Sequence, residues 1–147
     1  MIYTLRDMET TNNEKVELVQ KICQAIYDKK GFNILALQVT DISTITDYLV
    51  IAEGNVDRHV VAIAQEVVKE IEARFGFRPH HIEGVSSGDW VLIDYIDVMV
   101  HIFMPDSREK FRLEELWSKG TPVELNLCLD GDEKTNFRNT SDISLSV

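Results

Sequence analysis

From Glu14 onward, apolar side chains recur at spacings of three and four, at Val16, Val19, Ile22, Cys23 and Ile26. That is the period of one helix face. Asn12 or Asn13 can cap its start, Lys29 and Lys30 suit the negative end of its dipole, and Gly31 stops it. The first ten residues have no clear period and are expected to fray. Residues 34–40 then read as a short strand. Asp41, Ser43 and Thr44 make a polar break, and residues 47–53 read as a second strand, apolar on both faces.

After Gly54-Asn55 comes the clearest helix. Val60, Ile63, Ala64, Val67, Val68, Ile71 and Phe75 form its apolar stripe, Gln65, Glu66, Lys69, Glu70 and Glu72 hold the other side, and Gly76 stops it. Pro79 opens a third strand through Glu83, Gly84-Val-Ser-Ser-Gly88 is a loop, and residues 89–94 are a fourth strand. Residues 97–104 form a fifth, apolar on both faces except for His101, as in a central strand covered on both sides. Asp106 and Glu109 make a capping-box variant opening a last helix that closes at Trp117, with Leu113, Leu116 and Trp117 inward. All three prolines fall at element boundaries.

The long helix between the second and third strands predicts a crossover, and the closeness of the fourth and fifth predicts a hairpin. The expected fold is α/β (α+β): a mixed five-stranded sheet with helices packed on it. From Asn126 apolar residues are sparse, so a polar tail is expected to be disordered or loosely docked. The expected organisation is a flexible N-terminus (1–13), a single domain (14–123) and a polar C-terminal tail (124–147).

Charge changes this picture most. Twenty-five acids face fifteen Lys and Arg, a net −10 in 147 residues. Residues 1–30 are balanced, whereas residues 31–120 hold fifteen acids and eight bases. A protein that binds nucleic acid by neutralising phosphates needs the opposite sign, and anionic lipid is disfavoured for the same reason. A basic protein surface is the better match. No apolar run approaches the twenty or so residues of a membrane span, and no signal peptide is visible, so neither membrane nor export is expected. Cys23 and Cys128 form no Cys-x-x-Cys pattern, which fits a reducing compartment, and Cys23 reads as a small core hydrophobe.

Candidate chemistry is thin. Asp47, Asp94 and Asp97 could hold Mg²⁺ for nucleotidyl transfer, but Asp94 and Asp97 are three apart and cannot share a strand face. No phosphate-cradling Gly-x-x-x-x-Gly-Lys loop exists. His80 and His81 face opposite ways on a strand, His59 reads as a surface residue, and His101 as a pocket imidazole bonded to a neighbour. Ser86 and Ser87 precede a strand, which is not the setting of a nucleophile elbow. No cofactor, metal or catalytic group is expected. Trp90, Tyr95, Ile96, Phe103 and Met104 instead form an aromatic and aliphatic cluster that is either core or a docking patch.

Four ordered blocks carry a family resemblance. They are Asp41-Ile-Ser-Thr-Ile-Thr-Asp-Tyr-Leu-Val-Ile-Ala-Glu-Gly-Asn55, then Glu83-Gly84 with Trp90-Val-Leu-Ile-Asp94, then Asp97-Val-Met-Val-His-Ile-Phe103, then Arg108-Glu-Lys-Phe-Arg-Leu-Glu-Glu-Leu-Trp117. Together they resemble the Iojap family of ribosomal silencing factors, over about residues 14–120. The resemblance implies a nucleotidyltransferase-like sheet without transferase activity and a cytoplasmic translation repressor. Members bind ribosomal protein fourteen of the large ribosomal subunit and block joining of the small subunit when nutrients are short. Bacterial members are often homodimers off the ribosome, and organellar relatives act in large-subunit assembly.

By position, the partner surface implied is Trp90, Asp94, Tyr95, Ile96, Asp97, Met99 and His101. Trp90 and Tyr95 would be the anchors, and the aspartates would pair with Lys or Arg. Ile96 stands where the family usually has Gly, so either the turn differs or the Ile side chain joins the patch. Phe111 stands for a usual Tyr and keeps the ring. The rival readings are a metal-dependent nucleotidyltransferase-like enzyme using Asp47, Asp94 and Asp97, and a plain homodimeric scaffold.

Overall fold

In the computed structural model the backbone is described over residues 5–129 and 134–136, with side chains over 12–129 apart from Leu116. Helix α1 (Leu5–Asp28) begins well before the expected start, and Asn12 and Asn13 lie inside it rather than capping it. Residues 5–11 contain no Gly or Pro, so nothing there stops a helix that packing has already nucleated. Strands β1 (Phe32–Gln38) and β2 (Tyr48–Glu53) follow, then α2 (Asp57–Phe75), which ends on Gly76 in the left-handed conformation. After β3 (His81–Glu83), β4 (Trp90–Asp94) and β5 (Val98–Phe103), the expected last helix is two short ones, α3 (Pro105–Phe111) and α4 (Leu113–Leu116). Arg112 breaks them, at φ +46°. Pro105 is the first helical residue and Met104 the cap, so Asp106 is not the capping residue; its charge instead complements the dipole.

The main sheet has six strands, in the order β3-β4-β5-β2-β1-β6, not five. The added strand, β6 (Thr121–Pro122), pairs with β1 at the outer edge, where the missing proline N–H costs no ladder bond. The sheet is mixed as expected: β2 and β5 are parallel, with α2 in the crossover, and β4 and β5 are an antiparallel hairpin. β7 (Asn126–Cys128) and β8 (Lys134–Asn136) form a separate two-stranded ribbon.

Alternation divides the residues between two faces. Val91, Ile93, Val98, Val100 and Ile102 meet α1 and α2 in the main core, which includes Cys23. Leu37, Val39, Leu49, Ile51 and Phe103 lie on the opposite face, with Leu35, Trp90, Met99, Leu113 and Trp117 packed partly over them. The start of the expected tail is firmly docked: Leu125 and Leu127 are fully buried in the main core. Residues 130–133 and 137–147 of that tail lie outside the described residues.

Candidate docking face

Four of the expected site residues share the second face of the sheet. On β4 these are Trp90 and Asp94, with Leu92 between them; on β5 they are Met99 and His101. The hairpin register sets Asp94 opposite Met99, Leu92 opposite His101 and Trp90 opposite Phe103. All but Phe103 are half-buried: Leu113 and Trp117 pack over the neighbouring Leu37, Leu49 and Ile51, and α3 reaches this half of the face only through Phe111 at Trp90 and its contact with β5.

Trp90 anchors one end of this stripe. Its indole stacks on Phe103 at 4.9 Å, meets Phe111 at 4.9 Å on another side, and donates its Nε1–H to His101 Nδ1 at 3.0 Å. Burial lowers the His101 pKa to about 4, so the ring is neutral at physiological pH. The backbone before Trp90 is fixed by Gly84, at φ +89°, where a Cβ would lie 2.0 Å from the Trp90 carbonyl oxygen. In the same loop Ser87 donates to Asp89 Oδ1 at 2.6 Å, a turn contact.

Tyr95 is not an exposed anchor. It sits on the helix side of the sheet, 7% exposed, with its ring edge-on to Phe77 at 5.9 Å, and burial pushes its hydroxyl pKa up. The reason is the side-chain period of two, which puts residue 95 on the same face as Val91 and Ile93.

Ile96 takes a left-handed backbone that glycine adopts more readily. Its φ is +72°, and Asp97 N–H donates to the Tyr95 carbonyl at 2.9 Å, the three-residue γ-turn in its strained positive-φ form. Asp94 Oδ1 accepts from Ile96 N–H at 2.7 Å and braces the turn, while the Ile96 side chain is 58% exposed at its tip. An isoleucine here therefore costs strain and adds an apolar group to the end of the stripe.

Asp97 and Asp47 share a cation from the chain itself. Lys15 Nζ lies 2.7 Å from Asp47 Oδ2 and 3.9 Å from Asp97 Oδ1. The hydrogen bond to Asp47 raises the Lys15 pKa, with burial opposing it. The ammonium thus stands between two of the three carboxylates that a Mg²⁺ site would need, while Asp94 serves the turn. No group of three or more His, Cys, Asp or Glu is arranged to hold a metal among the described residues.

Other polar residues are structural. Both ring nitrogens of His59 are used, Nδ1 accepting from Asn55 N–H at 2.9 Å and Nε2 facing Lys29 O at 2.8 Å. From a half-exposed position it ties the end of α1 to α2. Arg108 reaches across to Glu53 Oε2 at 3.1 Å, Glu114 Oε1 at 3.3 Å and the Asn33 carbonyl, fastening α3 to the sheet. A separate groove of about 520 Å³ runs between α2 and β3 over Ala64, Val68, Ile82 and Val85. None of the expected site residues lines it.

Sequence reasoning missed Lys15, Leu92 and the contact of Phe111 with Trp90. Leu92 was recoverable, since it alternates with Trp90 and Asp94. The other two depend on contacts between elements distant in sequence.

The geometry offers an apolar stripe with carboxylates at one end, suited to docking a protein. A family model described as "Ribosomal silencing factor during starvation" matches residues 12–144. A ribosomal silencing factor of Halalkalibacterium halodurans is 40% identical over 109 residues, covering 74% of this chain and 92% of that protein. A mouse protein named for mitochondrial assembly of the ribosomal large subunit is 33% identical, over 68% of this chain and 45% of its own length. A crystal structure of a Chromobacterium violaceum protein superposes with a TM-score of 0.67 at 31% identity, covering 69% of this chain and 84% of that one.

Proposed function

The chain belongs to the ribosomal silencing factor family, and from that premise we propose that it binds ribosomal protein fourteen of the large subunit and sterically blocks joining of the small subunit. The observation that carries the reading is the half-open stripe of Trp90, Leu92, Met99 and His101, with Asp94 and Asp97 at its end. Blocking needs no chemistry, only residence on a surface two subunits must share, so its strength follows affinity and concentration. An excess of ten negative charges favours a basic partner and speeds encounter with it. Ile96, exposed at the tip, adds apolar contact beside the carboxylates. Off the ribosome the same stripe pairs with a second copy, giving a homodimer. The working unit is the single domain expected at 14–123, widened to take in the start of α1 and the docked Leu125 and Leu127, in the cytoplasm and on a nucleotidyltransferase-like sheet. The enzyme reading is weaker because the Lys15 ammonium already pairs with Asp47 at 2.7 Å, close to Asp97, where a metal ion would have to sit; the exposed Asp97 carboxylate keeps net negative charge for a partner.

The test is sedimentation of the purified chain with isolated large and small subunits, followed by subunit joining at permissive Mg²⁺. Wild type is expected to travel with the large subunit alone and to deplete the joined peak. Met99→Arg, which sets a cation against a basic partner, should lose both effects while keeping its thermal midpoint within a few degrees. Undisturbed joining at saturating wild-type protein would refute the proposal.

A further inference from the structure

We propose that His101 is a hydrogen-bond donor at the centre of the docking stripe, its Nε2–H reading an acceptor oxygen on the partner. This rests on the stripe being the docking face. The indole Nε1–H can only donate, so in its 3.0 Å bond to His101 the Nδ1 atom must be the lone-pair nitrogen. A neutral imidazole whose Nδ1 accepts carries its proton on Nε2. The ring is neutral because burial disfavours its charged form.

Trp90 thus fixes the tautomer and, with Phe103 stacked beside it, the plane of the ring. It is a positioning residue for His101. The Nε2–H itself has no partner among the described residues. Among the described residues no side chain or carbonyl takes its proton, and the atom is not one of the sealed polar atoms left without a partner there, which are Tyr95 Oη and Glu114 Oε2, so it is not closed off from an incoming group. Its cross-strand neighbours on either side are Leu92 and Ile51, which offer no acceptor.

The consequence is selectivity by position. A partner that covers Leu92 and Met99 strips water from this N–H, and a buried donor left unpaired is penalised. The occupant over His101 must therefore present a carbonyl, hydroxyl or carboxylate oxygen. A Lys or Arg head fits at Asp94 and Asp97 but is rejected at His101, where two donors would face each other. The stripe thus reads a basic surface interrupted by an acceptor, which net charge alone does not specify.

The experiment uses the full chain and isolated large subunits. His101→Phe keeps a ring against Trp90 and Phe103 but carries no donor. His101→Gln supplies an oxygen for the Trp90 N–H and an amide N–H facing outward. His101→Phe is expected to bind large subunits roughly tenfold more weakly, and His101→Gln to recover to within about threefold of wild type. Nitrogen-15 NMR of the free wild-type imidazole should show Nδ1 unprotonated and Nε2 protonated, a readout that holds whether or not a variant folds. Wild-type affinity in His101→Phe would overturn the proposal, as would a His101→Gln protein no better than His101→Phe, or a proton on Nδ1. Failure of wild type itself to bind large subunits would instead overturn the silencing reading, and is seen before any substitution is made.

Discussion

Ile96 concentrates a conflict between stability and surface at one residue. A β-branched side chain at φ +72° pays the steric cost that glycine avoids, of about 1–2 kcal/mol. Glycine loses roughly 0.5–1 kcal/mol of that gain through its freer unfolded chain. Ile96→Gly is therefore expected to stabilise the protein by up to about 1 kcal/mol in urea unfolding, while weakening large-subunit binding through loss of the exposed side chain. A destabilised Ile96→Gly protein would mean the turn is not strained. Asp94 belongs to the same account, because its carboxylate braces the turn through the Ile96 N–H and so shapes the tip as well as charging it.

Among the elements, β7 is held by an arrangement that composition conceals. Two glutamines one helical turn apart on α1 pair with its backbone. Gln20 donates to the Glu124 carbonyl and accepts from Asn126 N–H at 2.9 Å. Gln24 donates to the Cys128 carbonyl at 3.0 Å and accepts from Cys128 N–H at 2.7 Å. Each side-chain amide thus plays the part of a neighbouring strand, and Leu125 and Leu127 are pressed into the core between them. Gln24→Ala should lower stability by about 1–2 kcal/mol, for two hydrogen bonds at a half-buried site. Amide exchange should speed at Cys128 more than in β2. Equal protection at Cys128 in both proteins would count against the pairing.

At the scale of the whole molecule, His101 couples the docking face to global stability. Its folded-state pKa is depressed from 6.5 to about 4, so the unfolded chain takes up the proton first as pH falls. Its contribution is complete above about pH 6.5, declines on acidification and is exhausted near pH 4, a loss of about 3 kcal/mol at most. Between pH 7 and 4.5, wild type should lose more unfolding free energy than His101→Gln, measured by urea titration at each pH. Parallel losses would remove His101 from the balance. No helix among the described residues is long and apolar enough to cross a membrane.

The amino-acid order alone determined the periods: the α1 and α2 stripes, the doubly apolar β2 and β5, the β4–β5 hairpin and the burial of Cys23 are local consequences of where side chains must point. The four sequence blocks also carried the family. Tertiary structure decided what local pattern cannot encode. β6 is two residues long and exists only because β1 offers an unpaired edge. Leu125 and Leu127 alternate like a strand, yet it is β8 on one side and the Gln20 and Gln24 side chains on α1 that give that strand its partners. Tyr95 and Trp90 looked equivalent as anchors in the linear motif, and the pleat sent one to the helix side and the other to the open face. Lys15 meets Asp47 and Asp97 only when α1 lies across the β2 and β5 starts. Side-chain direction is a property of a few neighbouring residues, whereas pairing, coverage and ion contacts depend on which distant segments arrive at the same surface.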